Sequence, residues 1–401
     1  FSPDGKYLAY MSMKRAGFEA DQQDLVVYDL TTKEIRNLTK PLDRYVSDFA
    51  WSPDSKKLYY FVPHQGRHML YEQKVDDKYP RLLLDKKYIG AMRVNPDGKS
   101  LLLKHQAVNM PYELFNFDLK SKKLTQLTFT NKERLAQLEM NPLEDHWFAG
   151  AKGDTVHLLM VKPPQFDPAK KYPLISLIHG GPQGAWSDNF HYRWNAEMFA
   201  APGYVVIMIN FHGSRGYGQK FCDAVSKDWG GAPFEDVMLG TKWAIDNFEF
   251  IDGERVGAAG ASYGGFMINW IEGHNDDGLF KTLVSHDGVY EQVSMFGATE
   301  ELWFPMWEFN GMPWEDGSVY QKWNPINHAG NFKTPMLVIH GEHDYRVPYT
   351  QGLQLFTALQ MKGVESRLLF YPDEDHFVQK PQNAQLWWKT VHEWLGKYLK
   401  P

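Results

Sequence analysis

Six consecutive residues decide the fold of this chain: Gly260-Ala261-Ser262-Tyr263-Gly264-Gly265. They follow a strand-like run, Arg255 to Ala259, and fit the pattern Gly-x-Ser-x-Gly. In that pattern the chain turns sharply from a strand into a helix, and the flanking glycines leave room for the strained backbone that exposes the serine hydroxyl. The motif predicts a nucleophile elbow at Ser262 in an α/β-hydrolase fold, whose doubly wound sheet is mostly parallel.

The acid and the base that a serine nucleophile needs lie downstream, in the order that this fold uses. Asp344 follows an apolar run that begins near Lys333, and His376 follows a second such run, Ser366 to Tyr371. A neutral hydroxyl is a poor nucleophile. We therefore expect His376 to take the proton of Ser262, while Asp344 holds the imidazole in the right tautomer and stabilises its charged form.

Donors for an oxyanion are predicted at the end of a further strand-like run, Leu174 to Ile178. The glycine-rich turn after it offers the backbone N–H of Gly181, and the residue after the nucleophile, Tyr263, offers the second N–H. The order and context of these elements agree. They disfavour the alternative of an accidental Gly-x-Ser-x-Gly beside an unrelated histidine and aspartate.

The chain resembles the prolyl oligopeptidase family of serine peptidases, most closely its branch of acylaminoacyl peptidases and dipeptidyl peptidases 5. The resemblance covers the whole chain and rests on these motifs: His-Gly-Gly-Pro-Gln-Gly at 179–184, Asn-Phe-His-Gly-Ser-Arg-Gly-Tyr-Gly at 210–218, Asp-Trp-Gly-Gly at 228–231, the elbow at 260–265 and His-Gly-Glu-His-Asp-Tyr-Arg-Val-Pro at 340–348. It implies hydrolysis of short peptides through an acyl-enzyme on Ser262, with release of dipeptides from free N-termini as the main expectation. Acylaminoacyl peptidase or oligopeptidase activity, broad esterase activity and, outside the enzymes, a propeller binding module stay open as alternatives.

Two sets of substrate-binding residues follow from the resemblance. Arg346 is expected to bind the substrate carbonyl at the second position before the scissile bond, because a planar guanidinium suits a carbonyl acceptor; the alternative is a structural ion pair with a nearby acid. A hydrophobic specificity pocket is expected from the aromatic-rich segment that follows the elbow and its next strand. Its expected members are Phe296, Trp303, Phe304 and Trp307. Packing of these aromatics in a dimer or propeller interface is the competing interpretation.

A repeat precedes the hydrolase. Units of the type Ser-Pro-Asp-Gly-Lys begin at Phe1, Trp51 and Val94, which are 50 and 43 residues apart. Such periods predict propeller blades, each with polar turns and alternating strands. We expect a partial β-propeller over residues 1–131 and a catalytic domain over 132–401. About three blades are too few to close a ring, so upstream blades are expected to be missing from this sequence.

Composition and spacing argue against other classes of ligand. The formal net charge is −6 with both signs interspersed, so no nucleic-acid partner is predicted. The apolar runs are strand-length, so no membrane segment is predicted. Neither the glycine-rich stretch at 213–218 nor the cluster of His340, His343 and Asp344 has the spacing of a dinucleotide or metal site, so no cofactor and no metal are predicted.

The cellular location and the assembly of the protein are two further predictions. The single cysteine, Cys222, excludes an internal disulfide and is compatible with any compartment. The periplasm is the preferred prediction, with the cytoplasm or secretion as alternatives. A homodimer is a further hypothesis.

Overall fold

The structure, a computed structural model, describes residues 1–400 of the chain. The chain divides into two compact units: the first holds residues 1–142, 187–191 and 215–222, and the second holds 143–186, 192–214 and the residues from 223 onward. The first unit reaches Pro142, beyond the predicted boundary near Asn131. At the predicted boundary the Asn131 N–H donates to the Glu113 carboxylate, in a strand of the first unit, at 3.3 Å.

The strands of the first unit form a three-stranded sheet, β1-β2-β3, and a seven-stranded sheet in the order β10-β9-β8-β7-β6-β5-β4, both antiparallel. Their bounds are β1 (Tyr7–Ser12), β2 (Asp24–Asp29), β3 (Ile35–Asn37), β4 (Asp48–Trp51), β5 (Lys57–His64), β6 (Arg67–Lys74), β7 (Arg81–Val94), β8 (Ser100–Ala107), β9 (Met110–Asp118) and β10 (Leu124–Gln126). Each sheet is built of sequence-adjacent hairpins, as the repeat predicts.

The repeated turns open strands in the same way. Ser2 Oγ donates to Asp4 at 2.7 Å, and Ser52 Oγ donates to Asp54 at 2.6 Å in the next repeat. The wide sheet arises because β7, 14 residues long, pairs with β6 through its first part and with β8 through its second. Two predicted repeats thus share one long strand, and their closure into a propeller stays a prediction.

The second unit is built on an eight-stranded sheet in the order β11-β12-β14-β13-β15-β16-β17-β18. Strands β14 to β18, with β13, run parallel, and β11 and β12 add an antiparallel edge. Their bounds are β11 (Glu144–Ala149), β12 (Thr155–Val161), β13 (Tyr172–Ile178), β14 (Val205–Asn210), β15 (Ile251–Ala261), β16 (Thr282–His286), β17 (Met336–Gly341) and β18 (Ser366–Tyr371). This is the mostly parallel sheet that the elbow predicts.

Helices accompany this sheet. The α-helices of the chain are α1 (Lys132–Leu135), α2 (Ala196–Ala200), α3 (Gln219–Asp223), α4 (Ala232–Asn247), α5 (Tyr263–Glu272), α6 (Gln292–Phe296), α7 (Trp303–Glu308), α8 (Ser318–Lys322), α9 (Thr350–Met361) and α10 (Pro381–Leu399). Strands β14 and β17 are buried along their whole length. A strand covered on both faces reads as a continuous apolar run, which is why these strands are visible in the sequence. Within residues 1–400, none of the helices has both the length and the hydropathy required to cross a bilayer.

Glu272 ends helix α5 in a buried position. Its Oε1 accepts the N–H groups of Lys333 and Thr334 at 2.7 and 2.8 Å. Burial raises the pKa of this carboxyl from an ordinary value of 4.5 to about 7, although the hydrogen bonds act to lower it. Between these two values the folded chain binds more protons than the unfolded chain, so the free energy of unfolding falls as the pH rises towards and through 7.

Glu272→Gln keeps the shape of the side chain and removes its ionisation. We expect the variant to match the wild type near pH 5 and to exceed its free energy of unfolding by about 2–3 kcal/mol near pH 8. Urea unfolding at both pH values measures the difference. Glu254→Gln, at a side chain that is 92% exposed, is the control without a pH-dependent effect. An equal effect of Glu272→Gln at both pH values would contradict the assignment.

Candidate active site

Ser262 lies at the sharp turn between β15 and α5. Its backbone has φ 61° and ψ −121°, in the region that L-residues rarely adopt, and its N–H donates to His286 O at 3.0 Å. The hydrogen bond to the end of the neighbouring strand fixes the strained residue at the edge of the sheet. The predicted elbow is therefore present in strand, turn and helix.

The two motif glycines are required by close backbone contacts. A Cβ atom on Gly260 would lie 2.4 Å from Gly264 O, and a Cβ atom on Gly264 would lie 2.2 Å from Ile178 O. Backbone atoms cannot move aside as a flexible side chain can. The glycines thus allow α5 to begin directly against the end of β13, with Ser262 between them.

Gly264→Ala tests this packing. We expect the free energy of unfolding to fall by about 2–3 kcal/mol, with a loss of activity, because β13 and α5 must separate to admit a methyl group. Thermal unfolding and a hydrolysis assay measure both effects. Gly330→Ala is the matched control, since a Cβ atom there meets nothing within 4 Å. Equal stability of the two variants would show that the contact is not needed.

His376 and Asp344 meet at the same edge of the sheet. Asp344 follows β17 and His376 follows β18, and the two strands are parallel neighbours. His376 Nδ1 lies 2.7 Å from Asp344 Oδ2, and both side chains are buried. Asp344 Oδ1 accepts the N–H groups of Arg346 and Val347 at 3.0 and 2.9 Å.

The charge of Asp344 is fixed by this environment. Burial would raise the pKa of the Asp344 carboxyl, but its contacts with His340 and His376 outweigh burial and lower it. An ionised carboxylate accepts the Nδ1 proton of His376, which leaves Nε2 as the free basic nitrogen of the ring. The pair has the geometry of an acid that orients a general base.

The predicted oxyanion donors lie on both sides of Ser262. A Cβ atom on Gly180 would be 3.2 Å from Ser262 Cβ, which places the glycine turn directly against the serine. Gly181 next to it has φ 127°, a conformation that favours glycine. Tyr263 provides the first amide of α5, which has no acceptor within its own helix. Its side chain is buried and donates from its hydroxyl to Trp229 O at 2.6 Å.

Arg346 is ion-paired in the structure. Its Nε lies 2.9 Å from the Glu301 carboxylate and its Nη2 lies 3.9 Å from Glu300, and the guanidinium lies 5.7 Å from the ring centre of Phe377. The side chain is 38% exposed, so it remains open to solvent on one side. The ion pair that the sequence offered as an alternative is present, and it leaves the guanidinium beside the residue that follows His376.

The four predicted pocket aromatics do not share one environment. Phe304 is buried and packs on Trp229, whose ring packs on Tyr263 at 5.0 Å between centroids. Phe296 is buried against Tyr320 and Trp314. Trp303 is 47% exposed and Trp307 is half-buried. Phe304 thus reaches Tyr263 through one intervening ring, and Phe296 reaches it through a longer series of ring contacts, Tyr320, Phe309 and Trp229.

Two more buried residues lie at this edge: Asp287, which was missed in the sequence, and His340, which was considered there only as a metal ligand. Asp287 follows β16, and its Oδ2 lies 4.0 Å from His376 Nδ1. His340 is the last residue but one of β17, and its Nε2 lies 3.5 Å from Asp344 Oδ2 and 3.8 Å from Asp287 Oδ1. The sequence contained a usable signal, because polar residues after neighbouring parallel strands meet at one edge of a sheet.

The same three residues, Asp287, His340 and Asp344, have donor atoms within 4.8 Å of one another. Such a cluster could hold a metal ion. The oxygens of Asp344, however, already accept two backbone N–H groups and the ring N–H of His376. Asp344 is therefore committed to these donors and is not free to act as a ligand.

This chain is similar in sequence and in fold to known proteins. The sequence pattern described as the prolyl oligopeptidase family matches residues 190–401, just over half of the chain. The dipeptidyl-peptidase 5 of Schizosaccharomyces pombe is 36% identical over 400 residues, which cover 99% of this chain and 58% of that protein. The dipeptidyl-peptidase 5 of Porphyromonas gingivalis is 36% identical over 408 residues, which cover 100% of this chain and 59% of that protein.

The fold of this chain is also similar to that of a solved structure. The acylaminoacyl peptidase of Pyrococcus horikoshii matches with a TM-score of 0.88 at 25% identity, over 99% of this chain and 62% of that one. The chain spans 58% and 59% of the two curated relatives. The family pattern covers the segment that carries Ser262, Asp344 and His376, and this chain belongs to the prolyl oligopeptidase family.

Proposed function

We propose that this chain is the catalytic part of a serine peptidase that releases dipeptides from the free N-termini of short peptides. Ser262 is the nucleophile, His376 the general base and Asp344 the acid that orients it. The observation that carries the proposal is the 2.7 Å contact between His376 Nδ1 and Asp344 Oδ2. It is supported by the strained backbone of Ser262, because the three residues follow parallel strands of one sheet, as the acyl-transfer fold requires.

The reaction proceeds in two halves. Ser262 Oγ attacks the scissile carbonyl carbon as His376 Nε2 takes its proton, and the new imidazolium gives that proton to the leaving amine as the peptide bond breaks. Water then attacks the acyl-enzyme with His376 again as base, which frees the acid and restores the Ser262 hydroxyl. The N–H groups of Gly181 and Tyr263 stabilise the negative oxygen that forms in each half.

Release of dipeptides is supported by two relatives of this chain. The proteins from S. pombe and P. gingivalis are named dipeptidyl-peptidase 5.

Acylaminoacyl peptidase activity is the second candidate. It is favoured by the solved P. horikoshii acylaminoacyl peptidase, whose fold matches this chain with a TM-score of 0.88. Ester hydrolysis by the same residues follows from the same acyl chemistry. A binding module without catalysis is disfavoured, because binding alone does not require a serine with a strained backbone at the elbow.

The first unit is proposed to be part of a β-propeller that admits only short peptides. Support comes from the repeat at Phe1, Trp51 and Val94, from the antiparallel hairpins of β1 to β10 and from the greater length of the relatives. The specificity pocket is proposed to include Phe304, which packs on Trp229 behind Tyr263. A periplasmic location and a homodimer stay predictions.

The test compares one dipeptide amide, with alanine before the scissile bond, in its unblocked and N-acetylated forms. We expect kcat/KM to be at least about 100-fold higher for the free amine, because an enzyme that releases dipeptides must recognise the charged α-amine of its substrate. Ser262→Ala is the blank. Preference for the acetylated substrate would replace the proposal with acylaminoacyl peptidase activity, and hydrolysis of esters alone would replace it with esterase activity.

A further inference from the structure

Asp287 is a buried carboxylate that has no role in the proposed mechanism of Ser262, His376 and Asp344. It follows β16, its side chain is 1% exposed, and its Oδ2 lies 4.0 Å from His376 Nδ1, the nitrogen that binds Asp344. We propose that Asp287 is a second carboxylate for His376, a positioning residue that stabilises the imidazolium formed during acyl transfer and partly replaces Asp344 when Asp344 loses its charge. This inference rests on the proposed function, since it requires His376 to act as the base.

The hydrogen bonding of Asp287 points to this role. Both of its carboxylate oxygens are buried without a hydrogen-bond partner. Oδ2 lies 2.8 Å from His286 Nε2, but at an angle that makes no hydrogen bond. A buried carboxylate without donors is costly unless positive charge lies near it. At 4.0 Å the imidazolium of His376 is too far for a hydrogen bond and near enough for a strong charge interaction.

Other charged groups face Asp287 from the neighbouring elements. His340, on β17, lies 3.8 Å from Asp287 Oδ1 and donates from Nε2 to Val347 O at 2.8 Å. Burial would lower the pKa of His340, but Asp344 and Asp287 outweigh burial and raise it. Burial lowers the pKa of Arg193, and Asp287 opposes that effect. His340 and Arg193 thus face the two carboxylates, and a proton arriving on His376 meets Asp344 at 2.7 Å and Asp287 at 4.0 Å.

The backbone permits a clean substitution. Asp287 has φ 48°, and its N–H donates to Ile339 O at 2.9 Å, so the main chain is held in a left-handed conformation. Asparagine tolerates that conformation nearly as well as aspartate and has the same shape. Asp287→Asn therefore removes the charge with little strain, and Asp287→Gly, which also accepts a positive φ, serves as a second variant if the first loses stability.

The test is a double-mutant cycle of Asp287→Asn and Asp344→Asn. The readout is the rate at which a fluorophosphonate labels Ser262, which needs the base but no peptide specificity. We expect Asp287→Asn to slow labelling about 3- to 10-fold in the wild type and about 100-fold in the Asp344→Asn background, where it removes the remaining carboxylate. Asp373→Asn, which alters an exposed carboxylate in the loop before His376, is the control in both backgrounds.

A second readout separates this role from a structural one. In Asp287→Asn the acidic limb of kcat/KM should move to lower pH by about one unit, because the charged imidazole has lost one neighbouring anion. A structural role would lower the rate without moving the limb. Equal fold-changes in the two backgrounds, or a limb that does not move, would overturn the proposal. Absence of Ser262 labelling in the wild type would instead overturn the proposed function.

Discussion

Replacing Ser262 with alanine should lower kcat by about 10⁴- to 10⁶-fold, because the acyl-enzyme then has no oxygen on which to form. The elbow should persist, since its shape depends on the contacts of Gly260 and Gly264. Substrate binding should change little, so the loss appears in kcat rather than in KM. Steady-state hydrolysis of the alanyl dipeptide amide measures both constants.

Ser366→Ala is the matched control for this variant. Ser366 begins β18, at the end of the strand opposite to the site, and its hydroxyl accepts a hydrogen bond from Gln360 at 2.8 Å. We expect less than about a two-fold change in kcat for the control. Activity of Ser262→Ala within 10-fold of the wild type would place the nucleophile elsewhere.

Replacing His376 with alanine should cost nearly as much as the loss of the serine, since the two residues act as a unit. Without the imidazole the hydroxyl keeps its proton, and the leaving amine has no acid to protonate it. The double variant with Ser262→Ala should therefore be no slower than either single variant. Multiplication of the two losses would contradict the shared mechanism.

His392→Gln is the control for the histidine. His392 lies on α10 and its Nε2 contacts Met198 O at 3.0 Å, on an element that only supports the sheet. We expect it to retain kcat within about two-fold, with at most a small change in stability. A loss comparable to that of His376→Ala would show that the assay reports unfolding rather than catalysis.

The features that could be predicted from the sequence are local ones. The elbow is encoded by Ser262 and two glycines within five residues, and its strand and helix are found as predicted. The apolar run 366–371 is the strand β18 with the same bounds. Buried parallel strands have continuous apolar sequences, so their ends, and the polar residues after them, can be located.

The features that could not be predicted depend on packing between distant segments. Pairing of Arg346 with Glu301 joins loops 45 residues apart, and no periodic pattern relates them. Asp287 is visible in the sequence as a polar residue after a strand, but its nearness to His376 depends on the order of β16, β17 and β18 in the sheet, which no local pattern gives. The shared strand β7 depends on its pairing with β6 and β8 at once. In the aromatic-rich segment the direction of each side chain determines its burial, so that Phe304 is buried while its neighbour Trp303 is exposed.

Another serine and histidine offer the sharpest contrast with the triad. Ser214 Oγ lies 2.8 Å from His179 Nε2, yet both side chains are buried. Burial lowers the pKa of His179 to about 4, which makes it a weak base. A short serine–histidine distance therefore does not by itself identify a nucleophile, and the strained elbow at Ser262, which is only partly buried, does so better.

Mass spectrometric mapping after treatment with a fluorophosphonate tests the central claim most directly. We predict one phosphonyl adduct per chain, on the peptide that contains Ser262. We also predict that labelling slows by at least about 10³-fold in His376→Ala and is unchanged in His392→Gln. An adduct on Ser214 or another serine, or equal labelling of the wild type and His376→Ala, would contradict the assignment of Ser262 and His376.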